Sequence, residues 1–486
     1  MLAFDALVRR ADQSPDGDAL ADAARRLGPR AILAHARRIG AALAGAGLGP
    51  GDRVAIALPR GIDGALAIHG ALVHGASYVP IDLAHPASRL AFIVEDAGCR
   101  AVVGRGERPA FAGPKASWID LDALDEGDEI ALDPGSIHAW APEEIAAILY
   151  TSGSTGMPKG IAVSARAVDA FVRWAAATFD LDATDRIASL APFHFDLSLF
   201  DLFASMHAGA AAVFVPQALT LAPSRLVRWM EAERITTFYT VPSLLGFLAA
   251  RGGLGAGSLP SLRRILFAGE VFPLPALQKL AAGLPHVALY NLFGPTETNV
   301  CAFFQVDRAR LGAMSSLPIG APACDAELSI DGEGELHVRG PCVMSGYLKQ
   351  GAIPAPIAPG SLLATGDRVD RNEQGELLFL GRMDRMIKSA GYRVEPAEIE
   401  AALERFPGVR RAVAFGLPDP VSGQRIVAAI AADEEPASGA LIAALRARLA
   451  PAMIPTRILW LPDLPLLANG KTDLAALAKL LEDLGP

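Results

Sequence analysis

The sequence contains little cysteine, and none of the spacing that cysteine chemistry requires. Its four cysteines, Cys99, Cys301, Cys324 and Cys342, are scattered among 486 residues and form no C-x-x-C pair. Zinc sites and disulfide scaffolds normally show paired spacing, so the pattern argues against both. We therefore expect a protein of the reducing cytoplasm.

Long apolar runs and an excess of basic residues are also absent. The longest apolar runs, such as residues 208–216, are too short to cross a bilayer, and the N-terminal stretch has no apolar signal core. The formal net charge is -9, whereas nucleic-acid binding normally needs a basic face. We expect no membrane and no nucleic-acid partner. A content of 51% apolar residues is enough for sizeable cores in a globular protein.

Short runs rich in Val, Ile and Phe, at residues 54–58, 211–216, 236–241 and 264–268, alternate with longer helical patterns. This alternation predicts a layered α/β protein. From about residue 320 the pattern changes to Gly-punctuated β segments, which predict a β-rich subdomain over about 320–383. After residue 384 it becomes α+β again and predicts a small domain of about one hundred residues.

The most informative segment is YTSGSTGMPKG at residues 150–160. Seven Gly, Ser or Thr residues surround Lys159 and follow an apolar run at 145–149. Glycines let backbone N–H groups approach an anion, hydroxyls add donors, and the lysine adds a positive charge. An ordinary surface turn has a similar composition. Because the spacing departs from G-x-x-x-x-G-K-S/T, a conventional P-loop ATPase or GTPase is disfavoured, and the segment predicts a phosphate loop of another architecture.

Further charged groups follow predicted strands. NLFGPTET at 291–298 carries Glu297, a candidate Mg²⁺ ligand, because a carboxylate beside a phosphate loop needs a cation between them. ATGD at 364–367 and GRMDR at 381–385 carry Asp367 and Arg382, which can bind ribose hydroxyls and phosphate oxygens. Lys471 lies in an Asn-Gly-Lys turn near the C-terminus. Each of these groups, taken alone, could equally be a solvated surface residue.

The order and spacing of these segments resemble the ANL superfamily of adenylate-forming enzymes, and within it the amino-acid adenylation domains of nonribosomal peptide synthetases. Nine motifs match in order through nearly the whole chain, from LVHGASYVPID at 72–82 to LPLLANGK ending at Lys471. The resemblance implies a large N-terminal domain of layered α/β subdomains at 1–383. It also implies a small mobile α+β domain at 384–486, with the hinge at Asp384. ATP and Mg²⁺ are the implied cofactors.

In such enzymes a substrate carboxylate attacks the α-phosphate of ATP, and a thiol then attacks the acyl-adenylate. By resemblance Glu297 binds Mg²⁺, Thr296 contacts the α-phosphate, and Lys471 bridges the substrate carboxylate and the phosphate or ribose oxygens. Rotation of the small domain then brings Lys388 and Gly391 to the site. The implied nucleotide-binding residues are Thr151, Ser152, Gly153, Ser154, Thr155, Gly156, Lys159, Gly269, Glu270, Asn291, Phe293, Gly294, Asp367 and Arg382.

This chain departs from the family pattern at a few positions. Met386 and Ala390 stand where glutamine and arginine are usual in the segment after the hinge, so contacts of that segment with a carrier protein are in doubt. Phe293 replaces a usual tyrosine and Ala364 a usual aromatic residue. The last two changes preserve the chemistry in outline.

Asp196, in FHFDLSLFD, matches the aspartate that amino-acid-activating members pair with the substrate ammonium. A carboxylate facing an apolar pocket needs a cationic partner, although a helix N-cap would also explain an aspartate here. The remaining pocket positions carry no charge and suit a small apolar amino acid. They are Leu197, Phe200, Ser243, Leu266, Ala268, Leu292, Val300 and Cys301.

The pocket resembles that of freestanding enzymes that activate L-proline and load it onto a separate carrier. D-alanine:carrier protein ligases also contain FDLS, but Phe200 and the pair Val300-Cys301 favour proline. The sequence has no carrier segment, so we expect a phosphopantetheinylated carrier protein supplied in trans. An acyl-CoA or aryl-acid ligase is disfavoured by Asp196. A non-enzymatic adenylate-binding module is disfavoured because the chain retains Lys159, Glu297, Asp367 and Lys471 together.

Overall fold

The computed structural model describes residues 3–125, 137–153, 157–419, 423–432, 438–466 and 472–483. Within these ranges the strands form five sheets. The strands are β1 (Leu20–Ala21), β2 (Arg26–Leu27), β3 (Arg53–Ile56), β4 (Ser77–Pro80), β5 (Ala101–Gly104), β6 (Ser117–Asp120), β7 (Ile145–Thr151), β8 (Lys159–Ser164), β9 (Arg186–Ser189), β10 (Ala211–Phe214), β11 (Thr237–Thr240), β12 (Arg264–Phe267), β13 (Ala288–Phe293), β14 (Ala302–Gln305), β15 (Ala321–Pro322), β16 (Glu327–Ile330), β17 (Glu335–Arg339), β18 (Gly346–Leu348), β19 (Leu363–Arg371), β20 (Leu377–Arg382), β21 (Ile387–Ser389), β22 (Tyr392–Val394), β23 (Val409–Asp419), β24 (Gly423–Ala432) and β25 (Arg457–Leu461).

Helices cover the sheets. A π-helical turn at Phe200–Ala204 continues directly into the helix that begins at Ser205. The α-helices are α1 (Ala6–Gln13), α2 (Pro29–Gly45), α3 (Ile62–His74), α4 (Ala87–Asp96), α5 (Leu121–Asp125), α6 (Ala165–Thr178), α7 (Ser205–Ala208), α8 (Pro223–Ala232), α9 (Pro242–Arg251), α10 (Leu274–Gly283), α11 (Pro396–Glu404), α12 (Ser438–Arg446) and α13 (Leu474–Asp483). None of the described helices is long and apolar enough to cross a membrane.

The four apolar runs predicted as strands correspond to β3, β10, β11 and β12, within two residues at each end. Strands β10, β11 and β12 are buried at every position. Parallel strands with both faces covered read as continuous apolar runs, which is why these segments show no alternation. The predicted α/β fold class is confirmed.

Two large sheets form the body of the protein. The nine-stranded sheet has the order β15-β14-β13-β12-β11-β9-β10-β1-β2, and the seven-stranded sheet has the order β18-β8-β7-β4-β3-β5-β6. One hydrophobic cluster contains residues of both sheets and of the helix α6, including Val54, Phe171 and Ile187. The centre of the nine-stranded sheet, from β10 to β13, is parallel. The carboxyl ends of these strands therefore lie along one edge, where loops can meet.

The later part of the chain forms smaller sheets. Strands β16, β17, β19 and β20 form an antiparallel sheet inside the predicted β-rich region, whereas β18 leaves it and pairs with β8. The described strands from β21 onward pair only among themselves, as the hairpin β21–β22 and the sheet β23-β24-β25. The domain boundary at residue 384 stays a prediction.

Candidate active site

A cleft lies at the carboxyl ends of β11, β12 and β13. Ligands of α/β sheets bind in this position, because loops from several parallel strands converge there. Asp196 and the loop with Thr296 line the cleft together with Lys388 and Gly391 of the hairpin β21–β22. Residues from distant parts of the sequence therefore meet in one cavity.

The phosphate loop enters the cleft at the end of β7. Thr151 and Ser152 line the cavity. The Ser152 hydroxyl donates to the carbonyl of Arg393 at 2.6 Å and accepts from the backbone N–H of Glu395 at 3.1 Å. The backbone N–H of Gly153 faces the carboxylate of Glu398. The remaining predicted loop residues, Ser154, Thr155 and Gly156, lie outside the described residues.

Glu297 is the electrostatic centre of this end of the cleft. Its buried carboxylate lies 2.9 and 2.8 Å from one guanidinium nitrogen of Arg393 and 3.3 Å from the ammonium of Lys159. The hydroxyl of Tyr347 donates to it at 2.7 Å. Burial alone would raise the pKa of Glu297, but the charges of Arg393 and Lys159 lower it to about 2. Glu297 is thus fully ionised and surrounded by cations.

Arg393 and Tyr347 were missing from the sequence-based prediction. Both lie within motif segments, GYRVE and SGYL, but neither follows a strand pattern that points to a ligand. Their contact with Glu297 depends on chain segments that are far apart in sequence. Their positions within family motifs were the feature of the sequence that could have identified these two residues.

Five predicted nucleotide-binding residues line a second hollow that adjoins the cleft: Gly269, Glu270, Asn291, Phe293 and Gly294. The ring of Phe293 packs at 5.6 Å from that of Phe379. The Glu270 carboxylate accepts from the backbone N–H of Ser243 at 2.8 Å, and burial raises its pKa to about 7. The grouping fits a pocket for a flat ring with polar edges.

Asp367 and Arg382 are opposite each other in the antiparallel pair β19–β20, which explains why two separate motifs meet. Arg382 donates to the buried carboxylate of Asp367 at 2.8 Å and to Asp384 at 2.9 and 2.7 Å. The second oxygen of Asp367 is buried without a partner. Arg382 lines the cleft, whereas the fully buried Asp367 does not.

Asp196 lies in the turn before the π-helix and lines the cleft. Burial raises the pKa of its carboxyl to about 6, although hydrogen bonds from Thr296 and the backbone of Leu197 oppose the shift. No ion pair to Asp196 exists among the described residues. Lys388 lines the same cavity and its charge interacts with that of Asp196, but within the described part of the chain no close ion pair neutralises the carboxylate.

The residues predicted to form the substrate pocket divide between the cleft and the adjoining core. Leu197 and Ala268 line the cleft, whereas Phe200, Leu266, Leu292, Val300 and Cys301 lie in the same hydrophobic cluster. Tyr239 also lines the cleft and meets the ring of Phe200 edge-on at 5.5 Å. Sequence analysis missed Tyr239, because an aromatic residue in a buried strand is normally part of the core. Ser243 binds Glu270, between the substrate and nucleotide positions.

The hairpin β21–β22 closes the cleft. Gly391 has a φ of 82°, and a Cβ there would lie 2.6 Å from Cγ1 of Val241. Tyr392 packs edge-on against Phe195 at 5.0 Å. The ammonium of Lys388 lies 5.4 Å from the ring centre of Phe293. The structure thus brings Lys388 and Gly391 to the cavity, while Lys471 lies outside the described residues.

The cleft combines two chemical environments. One end offers cations, backbone donors and an ionised glutamate, which suit a polyphosphate with a divalent metal. The other end offers a carboxylate without a counter-charge against an apolar wall, which suits a small ammonium compound. Such a site can hold a nucleotide and an amino acid next to each other.

Comparison with known proteins agrees with this geometry. Residues 7–348 match the family described as AMP-binding enzyme, and residues 398–471 match the AMP-binding enzyme C-terminal domain. The chain is 37% identical to an L-proline–(L-prolyl-carrier protein) ligase of Streptomyces coelicolor over 91% of this chain and 90% of that protein. It is 35% identical to a ligase of the same name from Pseudomonas fluorescens, over 96% and 97%.

Among solved structures, o-succinylbenzoate CoA synthetase of Bacillus subtilis superposes with a TM-score of 0.87 at 24% identity. The superposition covers 99% of this chain and 98% of the synthetase. This likeness shows a shared fold.

Proposed function

Because the chain belongs to the family of AMP-binding enzymes, we propose that it activates L-proline as the adenylate and transfers the prolyl group to a carrier protein. The family membership confirms the resemblance drawn from the nine motifs. The enzyme would be an AMP-forming ligase that makes a thioester with the phosphopantetheine thiol of a separate carrier. Two relatives aligned over nine-tenths of their length carry the name of that activity.

The observation that carries the amino-acid assignment is the carboxylate of Asp196. Burial holds its pKa near 6, and no cation of the described chain pairs with it. An α-ammonium group would supply the missing charge, and the secondary ammonium of proline does so as well as a primary one. A fatty or aryl acid has no such group and would leave a charge buried without a partner, which is costly.

The apolar wall supports a compact side chain. Phe200 is fully buried and packs against Tyr239, and Leu292 and Val300 are buried nearby. Leu197, Tyr239 and Ala268 line the cleft in front of this core, and an apolar lining suits a pyrrolidine ring better than a charged side chain.

For the first half-reaction, the chain's own residues position the nucleotide. Glu297 is the residue that would hold Mg²⁺, a hard cation that prefers carboxylate and phosphate oxygens and neutralises phosphate charge. Ser152 and Lys159 would bind the outer phosphates, and Asp367 with Arg382 the ribose. Lys471 would bridge the substrate carboxylate and the α-phosphate, where negative charge grows as oxygen approaches phosphorus.

In the second half-reaction, we expect the hairpin β21–β22 to act from the position that it has in this structure, where it lines the cleft. Lys388 and Gly391 line the cleft, and a further hollow between the large domain and residues 384–424 opens beside them. A pantetheine arm entering there would reach the acyl group. We propose that rotation about Asp384 exchanges this arrangement for one that presents Lys471.

Amino-acid-dependent exchange of labelled pyrophosphate into ATP, run with all amino acids, tests the proposal. We expect the strongest exchange with L-proline. Exchange with no amino acid would refute amino-acid activation, and strongest exchange with D-alanine would refute the proline assignment.

The Asp196→Ala variant tests the residue that carries the argument. We expect loss of amino-acid binding with ATP binding preserved, measured by titration calorimetry, and Asp196→Asn as an isosteric control should lose binding similarly because it lacks the charge. In the parent enzyme the KM for the amino acid should rise as the pH falls below about 6, since Asp196 then becomes protonated. An unchanged dissociation constant in Asp196→Ala would contradict the assigned role.

A further inference from the structure

The cleft contains a buried hydrogen-bond donor that nothing in the chain satisfies. The side-chain amide nitrogen of Asn299 is buried and has no hydrogen-bond partner. Asn299 lines the cleft together with Asp196 and Thr296. Buried polar groups in native proteins are normally paired, so an unpaired one indicates a ligand that brings the missing acceptor.

The backbone at Asn299 is also unusual. Its φ is 56°, in the left-handed region, where few non-glycine residues lie and where functional sites are over-represented. The turn is tight, since a Cβ at Gly294 would lie 2.1 Å from the carbonyl oxygen of Asn299. Asparagine tolerates this conformation, and that would explain the residue type. It does not explain a buried amide without a partner in the wall of the cleft.

The cationic side chains of the cleft bind carboxylates or lie over aromatic rings, although Nε of Arg393, like Oγ1 of Thr151 and Nε2 of His194, has no hydrogen-bond partner. Arg393 binds Glu297, and Arg382 binds Asp367 and Asp384. The ammonium of Lys388 lies over the rings of Phe293 and Phe379, on the nucleotide side. The backbone N–H of Asn299 donates to the carbonyl of Thr296 at 3.4 Å, and the Thr296 side chain bonds to Asp196, so we place the amide of Asn299 on the acyl side.

The second half-reaction creates an acceptor on that side. The pantetheine thiol loses its proton to water, and the sulfur forms a bond with the acyl carbon of the adenylate. The carbonyl oxygen gains negative charge until the bond between the acyl carbon and the phosphate oxygen breaks and AMP leaves with that electron pair. A preorganised donor facing this oxygen lowers the barrier.

We propose that the side-chain amide of Asn299 donates a hydrogen bond to the acyl oxygen during thioester formation and is therefore a catalytic residue of that step. The inference rests on the proposed function. A neutral donor suits this position, because a second cation beside the substrate ammonium would compete for Asp196. Lys471, which serves the acyl group in the first half-reaction, is withdrawn in the second.

Two matched variants separate the amide from the backbone conformation. Asn299→Gly keeps the left-handed conformation and removes the amide, and Asn299→Asp keeps the shape and replaces the donor with an acceptor. The measurement is single-turnover transfer of the aminoacyl group from preformed adenylate to free pantetheine, which removes any effect of carrier docking. We expect transfer to slow about 100-fold in both variants. The KM for the amino acid in pyrophosphate exchange should change less than about threefold.

Each alternative has its own result. Transfer at the parent rate in Asn299→Gly would overturn the inference. Equal losses in exchange and transfer, with a lowered melting temperature, would assign a structural role instead and overturn it too. A raised KM for the amino acid with normal transfer would make Asn299 a contact of the ammonium, against the inference. If the parent enzyme shows no amino-acid-dependent exchange, the proposed function fails and this inference with it.

Discussion

One guanidinium nitrogen of Arg393 lies 2.9 and 2.8 Å from the two carboxylate oxygens of Glu297, 96 residues earlier in the chain. Arg393 belongs to the hairpin that closes the cleft, whereas Glu297 follows β13. The same carboxylate is the proposed Mg²⁺ ligand. Both oxygens are already bound to Arg393, so we expect Glu297 to serve the metal in one domain orientation and Arg393 in the other.

The Arg393→Gln variant should therefore slow thioester formation by about 30-fold. Truncating one partner of a buried, hydrogen-bonded charge pair costs about 2 kcal/mol or more, and here it would weaken seating of the hairpin. Single-turnover transfer to the carrier measures the effect. Arg393→Lys, which keeps a cation, should lose much less. A loss of pyrophosphate exchange as large as the loss of transfer would contradict this role.

The hairpin turn offers a pair of neighbouring substitutions with opposite expected effects. Ala390 and Gly391 both have positive φ, 49° and 82°. Ala390→Gly should stabilise the protein by about 0.5–1 kcal/mol, because the left-handed region is unfavourable for alanine. Gly391→Ala adds strain and a Cβ 2.6 Å from Val241, so transfer should fall while exchange is retained. Denaturant unfolding and the two half-reaction assays test both. Normal transfer by Gly391→Ala would show that the seated hairpin is not the active arrangement.

The buried carboxyl group of Asp201 should make the free energy of unfolding depend on pH. It is fully buried beside the substrate pocket, and neither oxygen makes a well-aligned hydrogen bond. Burial raises the pKa of Asp201 from 3.8 to about 7, with Ser189 and Arg60 offsetting only part of the effect. The folded state thus holds this proton more tightly than the unfolded state, and its contribution to stability falls as the pH rises from about 4 to about 7.

Replacing the carboxylate removes that dependence. Relative to the parent, Asp201→Asn should gain stability with rising pH across this window, by up to about 4 kcal/mol if the full shift is realised. Urea unfolding of both proteins at pH 5 and pH 8 measures the difference. A constant difference at the two pH values would show that Asp201 is not protonated preferentially in the fold.

Substitution of Lys471 should impair adenylate formation, and substitution of Lys388 should impair transfer. Lys471→Ala should reduce adenylate formation by 100-fold or more and leave the ATP dissociation constant within about threefold, because its contacts strengthen mainly in the transition state. Lys388→Ala should spare adenylate formation and slow transfer. Exchange assays, nucleotide titration and single-turnover transfer distinguish the two. Equal loss of ATP binding and adenylate formation in Lys471→Ala would make this lysine a binding residue only.

Much of the site could be predicted because its parts are local motifs. The loop after β7, Glu297 after β13, and the pair Asp367 and Arg382 each follow a strand that the sequence marks clearly. These strands belong to three different sheets, so the sequence places each residue at a strand, and the packing of the sheets brings the residues together. Strand β18 shows the limit of this reasoning, because its three residues pair with β8 and not with the neighbouring β-rich sheet.

The sequence by itself determined the class of chemistry: the order of nine motifs and the aspartate at 196 identify a nucleotide-dependent activation of an amino acid. Only the tertiary structure decided which groups meet. Arg393 and Tyr347 reach Glu297, Tyr239 packs against Phe200, and the amide of Asn299 is buried without a partner in the wall of the cleft. These relationships join segments far apart in the chain or depend on one backbone angle. The packing of the sheets and the position of the hairpin β21–β22 determine these contacts. Hydrophobic pattern and local spacing in the sequence carry no information about that packing or that position.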